Sequence, residues 1–186
     1  MFKDYYMLEP SDSQYWNSFI MFPWSIKIVY GIISDNLAIF GSRKKSYIIL
    51  GGLIQLISLQ IFFWFEPQSM FFVCFLFMMT NFSSAFMDVV VDSMMVIQSR
   101  KDLVYGSEKL QSFSWTVRGF GGITGAIISA FMTEYFHPKW CILVYSMLGF
   151  FIAYSGIKLN PEIDREGLDE MNGFWTDLKR SGRDIY

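Results

Sequence analysis

Ionisable and metal-binding side chains are scarce in this 186-residue sequence, which has one histidine, two cysteines and 17% charged residues. A soluble domain usually carries about 25% charged residues. With His137 as the single histidine, neither a histidine-based metal site nor a Ser–His–acid triad is expected. Cys74 and Cys141 both lie inside apolar runs, so there is no disulfide framework or zinc spacing to read. A net charge of −2 removes the basic face that a nucleic-acid binder needs. The sequence therefore predicts no enzyme, no metal, no cofactor and no nucleic-acid partner.

Apolar residues fill the space left by those absences. They make up 53% of the chain, with 20 Phe and 12 Met, and the mean hydropathy is +0.32. A membrane-spanning helix takes about 20 predominantly apolar residues. Five segments approach that length: 16–33, 47–65, 71–97, 113–133 and 140–157. Their uniform length and the lack of strict alternation argue for helices over a barrel. The expected fold is an all-α, polytopic membrane helix bundle, with the lipid bilayer as its surroundings. Residues 1–15 form an N-terminal segment outside the cytoplasm, 16–157 a five-helix domain, and 158–186 a charged cytoplasmic tail.

Orientation comes from the basic residues. The loops 34–46 and 98–112 and the tail together hold eleven of the 15 Lys and Arg, so these regions belong on the cytoplasmic side. The first residues, MFKDYYMLEPSDSQYW, lack the apolar core of a signal peptide.

Four charges fall inside the expected spans: Lys27, Asp88, Asp92 and Arg118. Each would cost about 2.5–3.5 kcal/mol at a helix centre facing lipid. At about 1.5 Å per residue all four sit in one layer, between the cytoplasmic surface and the midplane. Asp88 and Asp92 share a helix face at i, i+4. Two acids and two bases at one depth predict a polar site facing the bundle interior. The segments 47–65 and 140–157 carry no Asp, Glu, Lys or Arg and read as outer helices. In 113–133 the series Gly121, Gly125 and Ser129 forms a small-residue stripe suited to close helix packing. GFGGITG follows no strand and is not a dinucleotide loop.

The stretch GIISDNLAIFGSRKKSY resembles the cytoplasmic loop signature of the major facilitator superfamily. Its five-residue spacer between Asp35 and Gly41 is similar to that of the folate–biopterin transporter family, as are PWSIKIVYGIISD, DVVVDS and LQSFSWTVRGFGGITGA. The resemblance covers about residues 15–157. It departs from the family at Ile28, where relatives often have Pro, and at Ile97, where they often have an acid.

The resemblance implies helices two to six of a twelve-helix transporter, an incomplete N-terminal six-helix half. It implies secondary transport of a small-molecule solute, a folate or pterin. Lys27, Asp88, Asp92 and Arg118 would bind substrate, and a coupling proton is a further candidate partner. Gly31, Asp35, Gly41 and Arg43 would form a conformational latch, with Gly31 allowing close helix approach. The missing helices would come in cis or in trans, and the chain alone would not transport. Two other readings stay open at this point: a membrane fragment or accessory subunit without transport activity, and a facilitator for another polar solute.

Overall fold

The computed structural model describes residues 9–37, 39, 44–100, 102, 105–137 and 139–159. Among them are six helices: α1 (Pro10–Ser25), α2 (Lys27–Asn36), α3 (Lys45–Phe65), α4 (Met70–Ser99), α5 (Gly106–Tyr135) and α6 (Lys139–Ile157). The first expected span differs in two respects. Its helix begins at Pro10, ahead of the expected start at residue 16. Pro10 occupies the first turn, where its missing N–H has no partner to lose, and Asp12 suits the positive helix end.

The span is also broken in the middle. Pro23 sits inside α1 and cannot donate to the carbonyl of Phe19. The helix ends two residues later, with Ile26 at φ −107° and ψ 22°. The Val29 N–H then bonds the Ile26 carbonyl at 3.0 Å and restarts the helical ladder as α2.

Three of the helices, α3, α4 and α6, are long and apolar enough to cross a membrane. The pair expected outside the bundle, α3 and α6, makes the most extensive contact in the chain. Glycine explains this. A Cβ on Gly52 would lie 2.6 Å from the Ala153 nitrogen, and one on Gly149 would lie 2.8 Å from the Gly52 carbonyl oxygen. The two backbones meet where any larger side chain would hold them apart. Gln60 also donates to Ser146 across this seam, at 3.2 Å. The seam adds to the outer-helix reading: α3 and α6 pack tightly on each other while Trp64, Phe65, Phe150 and Phe151 stay exposed.

Next to the seam, α4 packs on α3, and the Ser83 hydroxyl donates to the Gly51 carbonyl. Tyr30, Tyr47, Phe82 and Phe86 form an aromatic cluster where α2, α3 and α4 meet. At the other end of the bundle, Leu59, Phe62, Val73, Leu76 and Ile142 form a second core.

The fifth helix behaves differently. It has 30 residues, and Gly106 alone among them is buried. A Cβ on Gly121 or Gly125 would meet nothing within 4 Å, and Ser129 is exposed. The expected stripe of Gly121, Gly125 and Ser129 therefore packs against no other described residue. Gly106 at the start of α5 lies close to the Ser99 carbonyl, and the glycine-to-glycine backbone contact lies instead between α3 and α6.

Candidate functional site

The helix break places Lys27 at the first position of α2, next to α4. There its ammonium donates to Oδ2 of Asp88. From α5, Arg118 donates to Oδ1 of the same carboxylate. One acid thus joins three helices. Its environment is graded. Asp88 is 13% exposed, Lys27 34% and Arg118 59%, so the acid is sheltered and the guanidinium remains accessible.

Each cation also lies over a tryptophan. The Lys27 nitrogen is 4.5 Å from the Trp24 ring centre, and the Arg118 guanidinium carbon is 5.4 Å from that of Trp115. Aromatic faces attract cations, and the attraction grows as water is removed. The indole N–H of Trp24 is held by the Asn81 carbonyl oxygen at 3.1 Å, and the Asn81 amide donates to the Phe77 carbonyl at 3.0 Å. A chain of contacts therefore runs from Trp24 through Lys27, Asp88 and Arg118 to Trp115. Both tryptophans lie in the family-like stretches PWSIKIVYGIISD and LQSFSWTVRGFGGITGA, where the sequence alone assigned them no role. Trp115 precedes Arg118 by three residues within α5, a spacing that puts ring and cation on one helix face, whereas Trp24 and Lys27 stand on either side of the break at Ile26.

Asp92 takes no part in this clamp. It sits one turn along α4 from Asp88, close enough to feel its charge and those of Lys27 and Arg118. It makes no hydrogen bond or ion pair among the described residues. Its carboxylate instead lines a cavity of about 280 Å³ between α4 and α5, together with Ser107, Gln111, Ser114, Trp115 and Arg118. Gln111 and Trp115 supply an amide and an aromatic wall.

The expected latch is described only in part, because Gly41 and Arg43 lie outside the described residues. Asp35 pairs with Lys44 at 2.8 Å. That lysine is nearly buried, with 3% exposure, so one charge of the basic loop has a structural partner. A Cβ on Gly31 would meet Val89 at 3.7 Å, an ordinary contact. Close helix approach therefore does not require glycine at position 31.

Three comparisons bear on this arrangement. The sequence profile of the BT1 family matches residues 1–170. "Probable folate-biopterin transporter 4" of Arabidopsis thaliana is 32% identical over 149 residues, covering 78% of this chain and 30% of that protein. "Folate transporter 1" of Plasmodium falciparum is 28% identical over 156 residues, covering 84% of this chain and 31% of the relative. "Folate-biopterin transporter" of a Synechocystis strain is 34% identical over 118 residues, covering 63% and 24%. The chain thus spans about a third or less of the length of these relatives. No solved structure matches it significantly.

Proposed function

This chain belongs to the BT1 family and is an integral, multi-pass membrane protein, and on that premise we propose that it takes part in secondary transport of folates or pterins. Lys27, Asp88, Asp92 and Arg118 line the solute path. The observation that carries this reading is the shared carboxylate. Asp88 pairs with two cations from different helices, which leaves the trio one positive charge in excess, and its more exposed partner, Arg118, borders a cavity. Intramembrane ionisable groups that pair beside a cavity mark solute and ion pathways. A helix interrupted at the same depth, here at Ile26, is a further mark of such sites.

Arg118 retains donors beyond those facing Asp88, so it can receive an anionic group of the solute. Gly31, Asp35, Gly41 and Arg43 act on the cytoplasmic side as a conformational latch, with Lys44 as the local partner of Asp35. Flux across the bilayer also needs helices beyond those described, because α5 leaves the face of Gly121 and Gly125 open.

Equilibrium binding to the purified chain in lipid nanodiscs tests the site. Saturable folate or pterin binding is expected, weakened about 10-fold or more by Arg118→Ala, as fits the loss of a charge-assisted hydrogen bond. Absence of saturable binding to the folded wild-type chain would overturn the reading. Liposomes bearing the chain alone should show no saturable folate or biopterin flux above protein-free liposomes. Saturable flux would show that the described helices suffice.

A further inference from the structure

We propose that the two acids of α4 divide their work. Asp88 is the fixed counter-ion of the clamp, and Asp92 is the specificity-determining group that reads the amino-pyrimidine edge of a flat heterocycle lying in the α4–α5 cavity. This rests on the transport reading above and adds to it a named orientation for the solute.

The assignment starts from what each carboxylate has left to offer. Both oxygens of Asp88 are engaged, one by Lys27 and the other by Arg118. Both oxygens of Asp92 are uncommitted among the described residues, and the residue, itself exposed, lines a cavity. An ionised carboxylate only accepts hydrogen bonds. Its best partner is therefore a pair of parallel N–H donors, the geometry that a guanidinium presents and that a 2-amino-4-oxo-pyrimidine ring shares through its amino group and the adjacent ring N–H. Among the described residues no cation fills that role for Asp92, so the solute can.

The remaining walls suit the same ring. Trp115 offers an aromatic face for stacking, held in place by Arg118 beneath it. Gln111 carries both an amide donor and an acceptor for the ring's carbonyl and nitrogens. Ser107 and Ser114 add hydroxyls. At about 280 Å³ the cavity falls just below the usual span of ligand pockets, about 300–1,000 Å³. That volume fits a bicyclic head group and leaves a longer conjugate to extend outward. Arg118, the most open member of the clamp, stands at the same cavity, where it can meet a carboxylate of such an extension.

The test compares two ligands that differ at one edge. Pterin carries the 2-amino donor, and lumazine has a carbonyl in its place. Both are titrated against the chain in nanodiscs, for wild type and for Asp92→Asn. Wild type is expected to bind pterin about 10-fold or more tightly than lumazine, the value of one hydrogen bond to a charged group. In Asp92→Asn the preference should collapse to within about 3-fold, because an amide cannot accept two donors on both atoms. Retained helicity and lumazine binding would show that the variant is folded.

Wild type that binds both ligands equally would overturn the division of labour while leaving the transport reading standing. So would an Asp92→Asn variant that keeps its preference. Wild type that binds neither ligand would remove the transport reading and this inference together.

Discussion

Between α3 and α6, backbone lies on backbone, and Gly52 and Gly149 leave no room for another atom. Between α4 and α5 there is little packing, and the helices are joined by one carboxylate reaching one guanidinium. The first contact draws on close van der Waals approach, which drives helix association where lipid tails match the apolarity of side chains. The second draws on charge, which is strong in an apolar medium yet leaves volume around it for a solute. The backbone seam of α3 and α6 thus closes one side of the bundle, and the charge pair between α4 and α5 leaves space at another.

Substitutions separate these two modes. The largest expected effect is at the seam. Gly52→Leu forces backbone against backbone and should destabilise the bundle by about 3 kcal/mol, the upper part of the overpacking range. Unfolding in bicelles measures it, and a loss below about 1 kcal/mol would show that the seam can give way.

Asp88→Ala comes next. It strands two cations, and the cost should be about 2 kcal/mol, less than the roughly 3–5 kcal/mol of a fully buried pair because Arg118 is already exposed. The distinguishing result is local: hydrogen exchange should quicken in α5 while α3 and α6 stay protected.

Gly125→Ala should lie within about 0.5 kcal/mol of wild type, since a Cβ there meets open space. A cost equal to that of Gly52→Leu would erase the contrast between the two regions.

The smallest effect concerns the ion pair at the far end of the seam. Lys139 hydrogen-bonds Glu66 at 2.6 Å and holds its carboxyl below the ordinary carboxylate range, with charge attraction adding to the bond. A lowered folded-state pKa stabilises the folded form above the ordinary value, and the gain fades as pH falls through the lowered one. The stability difference between wild type and Glu66→Gln should therefore be present at neutral pH and vanish in acid. A difference that grows in acid would reverse the sign.

Much of this architecture is legible in the amino-acid sequence, and the parts that are not share a physical reason. Apolar length marks five spans, of which three described helices are apolar enough to cross a membrane, and insertion cost singles out Lys27, Asp88, Asp92 and Arg118, of which Asp92 stays apart from the other three. Which glycines pack is harder to read. The series Gly121, Gly125, Ser129 and the pair Gly52, Gly149 look equally suited to close approach, and the partner across the gap decides between them. The helix break is half visible, because Pro23 announces a lost hydrogen bond without fixing where the ladder resumes. The separate state of Asp92 follows from geometry, since the shared face at i, i+4 treats the two acids alike.

The interruption at Ile26 has a mechanical consequence. With 16 residues, α1 is a rod of about 24 Å, so a bend of about 10° at its joint would sweep its far end by about 4 Å. Lys27 lies just beyond that joint and need not let go of Asp88 while the rod turns. The joint sets a lever arm beside a fixed charge, and the packing of α1 on α4 with the Trp24–Asn81 bond is what resists its swing.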